Sequence, residues 1–185
     1  MRRELKMILA AFLSVCAVLP VADGQNIPAD STGRQIERKY DRFKDQTTVR
    51  LKALPIRQIA RPREELSLSV EATYKGEHPE RPKEVRLIFD SVAERYLYYD
   101  KAEALFIVDG NRIDAGTADM MNAYPSPNLV KVTLVLTMPL ERFTEIANGK
   151  EVELKLGSTE IRLSEKDIAA LLAFASAVGN ESKRG

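Results

Sequence analysis

The stretch ELSLSVEATYKG, from Glu65 to Gly76, decides the fold class of this chain. Every second side chain in it is apolar, and these residues are Leu66, Leu68, Val70, Ala72 and Tyr74. The positions between them hold serine, glutamate, threonine or lysine. A period of two indicates a β-strand with one face in a core and the other in water, which is typical of an antiparallel sheet.

The same alternation continues on the N-terminal side of this strand. Between residues 48 and 53 it places Val49, Leu51 and Ala53 on one face. Pro55 lacks a backbone N–H group, so it restricts this segment to a sheet edge or a bend.

Towards the C-terminus, the segment 129–138 (LVKVTLVLTM) alternates in the same way. Its predicted buried face comprises Val130, Val132, Leu134, Leu136 and Met138. The segment 150–163 predicts a hairpin about Gly157 and Ser158. Its predicted inward residues are Val152, Leu154, Leu156, Ile161 and Leu163.

Two helices interrupt the strand pattern. The first, near 139–148, has Pro139 in a first-turn position and Leu140, Phe143 and Ile146 on one stripe. The second, near 165–178, follows Ser164 as a predicted N-cap, with Asp167 three residues on. Its predicted apolar stripe consists of Ile168, Leu171, Leu172, Ala175 and Val178.

About eight short strands joined by turns predict a mainly β fold. We expect an antiparallel β-sandwich, either immunoglobulin-like or a sandwich-like barrel, with the two helices as additions. The predicted organisation is a single domain over 36–179, preceded by a flexible leader at 25–35 and followed by a disordered tail at 180–185.

The first 24 residues are typical of a secretory signal peptide. Three cationic residues precede an uncharged run of sixteen, and small residues follow near Gly24. Cleavage there would yield an exported chain, periplasmic or secreted. One alternative is an uncleaved N-terminal anchor, and another is lipidation at Cys16. Bacterial lipidation signals have a small residue before the cysteine, whereas this chain has Val15.

Removal of this segment takes three of the 28 basic residues and two of the 27 acidic residues, leaving 25 of each. A neutral mature chain has no bulk electrostatic reason to bind nucleic acid or an anionic membrane. The only cysteine leaves as well, so the mature chain has no disulfide partner, and we expect no transmembrane span in it. About 160 residues can bury an adequate core without disulfides.

The most metal-like passage is LFIVDGNRID, where Asp109, Asn111 and Asp114 fall within six residues. A calcium loop of the EF-hand kind needs oxygen ligands at positions 1, 3, 5 and 12. Counted from Asp109, position 5 is Ile113 and position 12 is Met120. Asp-Gly between two apolar runs instead predicts a tight hairpin turn, so we expect no metal site.

Assembled catalytic motifs are lacking. His78 is the only histidine and lies in a charged loop, so a zinc site of the His/Cys type lacks further ligands. A Ser-His-Asp or Cys-His arrangement would need His78 as its base, and no motif supplies the positioned nucleophile and orienting group, so we expect a solvated loop histidine. No phosphate-binding glycine loop or dinucleotide motif occurs, and no cofactor is expected. Five strand glutamates alternate with basic residues, as on a solvated sheet face with cross-strand ion pairs: Glu71, Glu84, Glu151, Glu153 and Glu160.

The best binding candidates are tyrosines. RYLYY at 95–99 predicts a strand with Tyr96 and Tyr98 on one face and Leu97 and Tyr99 on the other. Tyr124 lies in the predicted loop MNAYPSPN. Tyrosines can stack on a sugar ring or anchor a protein partner, but they also fill strand cores.

The segments KYDRFKDQTTVRLK and IANGKEVELKLGSTEIRLSEKDIAALLAFAS resemble small exported bacterial β-rich proteins of uncharacterised function. The last hairpin and helix are also distantly similar to invasion-associated, IalB-type β-sandwich proteins. The first resemblance implies a short β-rich domain after a signal peptide, and it supplies no catalytic residues.

Two functional hypotheses follow. The first is a non-enzymatic binding or structural module of the bacterial envelope, with an envelope protein or polymer as its partner. The second is a carboxylate-dependent hydrolase or lyase that acts on an envelope polysaccharide. Buried acidic residues converging in a concave pocket would favour the enzyme, whereas an exposed apolar patch near Tyr96 or Tyr124 would favour the binding module.

Overall fold

A computed structural model describes residues 36–77 and 81–179. The strands are β1 (Ile36–Asp41), β2 (Gln46–Ile59), β3 (Glu64–Lys75), β4 (Glu84–Ala93), β5 (Lys101–Val108), β6 (Asn111–Pro125), β7 (Val130–Pro139), β8 (Val152–Leu156) and β9 (Thr159–Arg162). The helices are α1 (Leu140–Ala147) and α2 (Glu165–Gly179). The predicted signal peptide, Cys16, the leader, His78 and the tail all lie outside the described residues.

The described strands form one antiparallel sheet in the order β1-β2-β3-β4-β7-β6-β5-β8-β9. It curls into a half-barrel, so the mainly β fold class with two helices is confirmed. The described strands form one curved sheet. One of the two expected arrangements, a sandwich of two packed sheets, is therefore not observed. Register shifts in β2 and in the β5–β6 and β6–β7 pairs mark bulges, which increase twist and help a long sheet to curl.

The core lies on one face of this sheet and is completed by the helices. Helix α1 packs against β4 and β7, and α2 packs against α1, β2 and β3. Where the helices meet, the rings of Phe143 and Phe174 make an edge-to-face contact with centroids 5.8 Å apart. The strand alternation predicted for β3 and β7 is confirmed, because every apolar residue assigned to their inner faces is buried.

Two residues predicted to be inward are exposed. Ala53 lies within the register shift between Leu51 and Leu54, and the bulge gives the inward position to Leu54. In α2, Leu172 is 39% exposed, and Phe174 fills the core instead. Among the described residues β1 pairs with β2 only as far as Leu51, so Pro55 has a paired strand on one side alone, as predicted for a sheet edge.

The helix ends are close to their predicted positions. Helix α1 begins at Leu140, and Pro139 is its N-cap residue, one position before the first turn. At the start of α2 the Ser164 hydroxyl donates to Asp167 Oδ2 at 2.6 Å. The Asp167 backbone N–H donates to Ser164 Oγ at 3.3 Å, so these two residues form the predicted cap.

The prediction that RYLYY is a strand is wrong. Residues 94–100 are an irregular connection, because β4 and β5 are separated in the sheet by β7 and β6 and the chain must cross both. The predicted loop MNAYPSPN is also shorter than expected. Strand β6 continues to Pro125, which pairs with Val130 of β7. Among the described residues, no helix is both long and apolar enough to cross a membrane.

Candidate functional site

Four connections meet at one end of the sheet, which we call the tyrosine end. They are the β2–β3 turn (60–63), the β4–β5 connection (94–100), the β6–β7 turn (126–129) and the β8–β9 turn (157–158). The antiparallel register brings them together, since Glu64 pairs with Ala93 and Ala93 pairs with Val130. This end carries Tyr96, Tyr98, Tyr99 and Tyr124, and therefore all the tyrosines proposed from the sequence.

Tyr98 holds the β4–β5 connection in place. Its side chain is buried, and its hydroxyl donates to Thr159 Oγ1 at 3.0 Å. Burial raises the pKa of Tyr98, while its hydrogen bond with Thr159 and the charge of Arg57 act in the opposite direction. Tyr98 is therefore an internal anchor and is not available to a ligand.

Tyr96 and Tyr99 form an aromatic pair, of which Tyr99 is exposed. Their ring centroids are 5.4 Å apart with an interplanar angle of 24°, which is a stacked arrangement. Tyr99 is 70% exposed, while Tyr96 is partly buried. The prediction that Tyr96 and Tyr98 lie on the same strand face is wrong, because side chains do not alternate between two faces in an irregular segment. The sequence did not single out Tyr99, whose exposure depends on this irregular course.

Tyr124 and Met121 lie on the neighbouring part of β6. They are 61% and 58% exposed, respectively. Strand β5 begins at Lys101, opposite Asp119, so the last residues of β6 extend beyond it. The Met120 backbone N–H donates to the carbonyl of Asp100 at 2.7 Å, which fixes this strand end beside the connection that carries Tyr99.

Charged residues at the tyrosine end neutralise one another. Arg63 pairs with Glu65 at 2.8 Å, and Arg95 lies 3.9 Å from Glu64. The Arg63 backbone N–H also donates to Glu94 Oε1 at 3.1 Å. A shallow hollow of about 290 Å³ is lined by Arg63, Glu64, Glu94 and Arg95. The arrangement suits an amphipathic ligand better than a strongly charged one.

Two carboxylates of the described residues are buried, and they lie in different elements of the fold. Glu71 and Asp167 are the only buried ones. Glu71 lies between Arg50 and Arg86, and Asp167 belongs to the cap of α2. The predicted ion pairing of Glu71 is confirmed, but its predicted solvation is wrong. Glu151 and Glu160 are exposed and pair with Arg162 and Lys155, respectively.

The Asp-Gly passage is a hairpin turn, as predicted. Asp109 and Gly110 have φ values of 49° and 82°, the positive values that a tight two-residue hairpin requires. Asp109 Oδ1 accepts backbone N–H groups of Lys150 and Glu151, and Asp114 Oδ1 accepts that of Gly116. In the described part of the chain, no group of three histidine, cysteine or acidic residues could hold a metal ion.

A groove of about 510 Å³ lies across β5, β6, β8 and β9. Leu105 and Ile107 form its apolar part, and Arg112 and the Lys155–Glu160 ion pair form its polar part. It brings together no residues proposed as sites from the sequence and no buried acid.

No protein-family model, curated protein sequence or solved structure matches this chain.

Proposed function

We propose that this protein is an exported, non-enzymatic binding module of the bacterial cell envelope, active in the periplasm through its tyrosine end. The observation that carries this proposal is the stacked Tyr96–Tyr99 pair, at the same end of the sheet as the exposed Tyr124 and Met121. The partner that we propose is an envelope protein or polymer.

Exposed aromatic rings on a well-held connection are suited to recognition. Tyrosine buries a large apolar area on binding, and its hydroxyl can still form a hydrogen bond. The buried Tyr98 fixes the same connection through its hydrogen bond to Thr159. The hydrogen bond between Met120 and Asp100 fixes the last residue of the connection. Little conformational entropy is then lost when a partner binds, and this favours affinity.

The arrangement of acidic residues supports a binding role over carboxylate catalysis. A glycosidase needs two carboxyl groups on opposite sides of a substrate cleft. The two buried carboxylates that the structure describes are engaged by arginines or by a helix cap, and neither lines a cleft with a second buried acid. Export to the periplasm is supported by the basic, apolar and small-residue pattern of the first 24 residues.

The test is retention of envelope components by the purified chain. Wild type, Tyr96→Ala/Tyr99→Ala and the control Leu172→Ala are immobilised and exposed to a bacterial envelope extract and to purified peptidoglycan. Leu172 is an exposed apolar residue of α2, so its replacement controls for general loss of surface hydrophobicity.

We expect the double variant to lose at least about tenfold of the wild-type retention, because aromatic anchors dominate binding energy. The control should keep its retention. Equal retention by wild type and double variant would contradict the proposal. Release of soluble sugars from peptidoglycan by the wild-type chain would favour the hydrolase hypothesis instead.

A further inference from the structure

The opposite end of the sheet carries the most exposed large apolar side chain of the described residues. Phe43, in the turn between β1 and β2, is 87% exposed. Its neighbours Arg42, Lys44 and Asp45 are exposed as well. A phenylalanine in this position adds nothing to the core, so a different explanation for it is needed.

The turn that presents Phe43 is well held. Asp41 Oδ1 accepts the backbone N–H of Phe43 at 2.9 Å and that of Lys44 at 3.3 Å. The Tyr40 hydroxyl donates to Asp45 Oδ1 at 3.0 Å, and the Gly76 N–H donates to the Asp45 carbonyl at 2.8 Å. The exposure of Phe43 is therefore a consequence of a hydrogen-bonded turn.

One cation lies beside the exposed ring, and further basic residues lie at the same end of the sheet. The Arg42 guanidinium lies 4.9 Å from the ring centroid, and Lys44 follows in the chain. Lys39 and Lys75 are exposed on the adjoining ends of β1 and β3. The nearby acids are Asp41, Asp45 and Glu77, and the first two accept the hydrogen bonds that shape the turn. The seven charged residues named here sum to +1, but the two that flank Phe43, Arg42 and Lys44, are both basic.

We propose that this turn binds an anionic lipid surface, with Phe43 inserted at the headgroup boundary and Arg42 and Lys44 at the phosphates. An aromatic ring between two long basic side chains matches the layered chemistry of a bilayer interface, with apolar groups below and anionic groups above. The inference does not depend on the proposed function of the tyrosine end.

A bilayer fits this surface better than a protein partner. Protein hot spots are typically surrounded by further apolar contacts that exclude water. In the described segment from the start of β1 to the end of β3, Phe43 is the only large apolar side chain that is strongly exposed. Strand β2 is 14 residues long and separates this turn from the tyrosine end, which stays accessible when the turn meets a membrane.

The chain has no tryptophan, so a single introduced tryptophan reports on its own surroundings. Phe43→Trp is compared with the matched probe Tyr99→Trp at the other end of the sheet. Both are prepared as full-length chains, so both contain the uncharged run at residues 7–22, which can itself bind lipid. Vesicles are made of phosphatidylcholine with or without phosphatidylglycerol, and parallel sets carry brominated acyl chains.

We expect the emission of Phe43→Trp to shift to shorter wavelength, and to be quenched by brominated lipid, only when phosphatidylglycerol is present. Tyr99→Trp should not respond. Adding Arg42→Glu and Lys44→Glu to Phe43→Trp should weaken the response by about fivefold or more for each cation replaced. Added salt should weaken the response of Phe43→Trp as well.

The proposal is overturned if the probe at position 43 does not respond, responds equally to phosphatidylcholine alone, or keeps its response after charge reversal. A shift caused by lipid-free envelope protein and not by vesicles would assign the turn to a protein partner and would also overturn it. Thermal unfolding without vesicles checks each fold. If the double reversal does not fold, Arg42→Gln/Lys44→Gln replaces it.

Discussion

Asp109 and Glu151 are joined by hydrogen bonds in both directions. The Asp109 backbone N–H donates to the Glu151 carbonyl at 2.9 Å, and the Glu151 backbone N–H donates to Asp109 Oδ1 at 2.9 Å. The same oxygen accepts the Lys150 N–H at 3.0 Å. The carboxylate that looks like a metal ligand in the sequence therefore joins the β5–β6 turn to the segment before β8.

Replacing Asp109 by alanine should lower the free energy of unfolding by about 2 kcal/mol. Two charge-assisted hydrogen bonds are lost, and alanine is strained at the positive φ of this position. Asp109→Asn is the matched control, because asparagine tolerates this φ and keeps an acceptor oxygen, so its loss should be clearly smaller. Urea unfolding measures both, and equal losses would contradict a specific role for the acceptor.

Gly149 should not tolerate a side chain. A Cβ atom there would lie 2.5 Å from Val108 Cγ1 and 3.0 Å from Val152 Cγ2. We expect Gly149→Ala to lower the melting temperature, with a loss of about 1–3 kcal/mol from overpacking. Gly179→Ala is the control, since a Cβ there meets nothing within 4 Å.

The same clash predicts a partial rescue of Gly149→Ala. Val108→Ala removes the nearest methyl group, so the double variant should be destabilised by less than the sum of the two single variants. Strict additivity in thermal or urea unfolding would show that this contact is not the cause.

The sequence predicted the elements whose signal is local, and missed those set by distant pairing. Alternation in β3 and β7 is visible within one strand, because neighbouring side chains point to opposite faces. The outward position of Ala53 depends on a bulge in the pairing of β2 with β3, and no residue of β2 predicts this bulge. Similarly, RYLYY has strand-forming residues, but the strand order makes it a crossing connection, and this order also determines the exposure of Tyr99.

Ionisation of Tyr98 should destabilise the fold at alkaline pH. Its pKa is raised by burial in the folded chain, so the folded state binds this proton more tightly than the unfolded state does. This contribution to stability is complete below about pH 10, the ordinary pKa of tyrosine, and is lost as pH rises through the folded pKa.

Tyr98→Phe should make the free energy of unfolding fall less steeply at high pH than in the wild type. At neutral pH the variant should be less stable by about 1 kcal/mol, because the hydrogen bond to Thr159 is lost. The exposed Tyr124→Phe serves as control and should follow the wild-type pH profile. Parallel profiles for wild type and Tyr98→Phe would contradict the assignment.

Arg50 and Arg86 should compensate for each other at Glu71. The Glu71 side chain is 8% exposed, whereas those of Arg50 and Arg86 are 52% and 37% exposed. Arg50 Nε donates to Glu71 Oε2 at 3.0 Å, and an Arg86 guanidinium nitrogen lies 3.4 Å from Oε1. Loss of either arginine leaves the buried carboxylate with one cation, so each single alanine variant should cost only about 0.5–1 kcal/mol after solvent screening.

The double variant Arg50→Ala/Arg86→Ala should cost more than the sum of the single variants, by about 1–2 kcal/mol. It leaves a buried carboxylate without a compensating cation, which is costly in a low-dielectric site. In a Glu71→Gln background no buried charge remains, so this excess should shrink towards zero. Urea unfolding of both double-mutant cycles measures the difference, and an equal excess in the two backgrounds would mean that the coupling arises from packing between the arginine side chains and their neighbours.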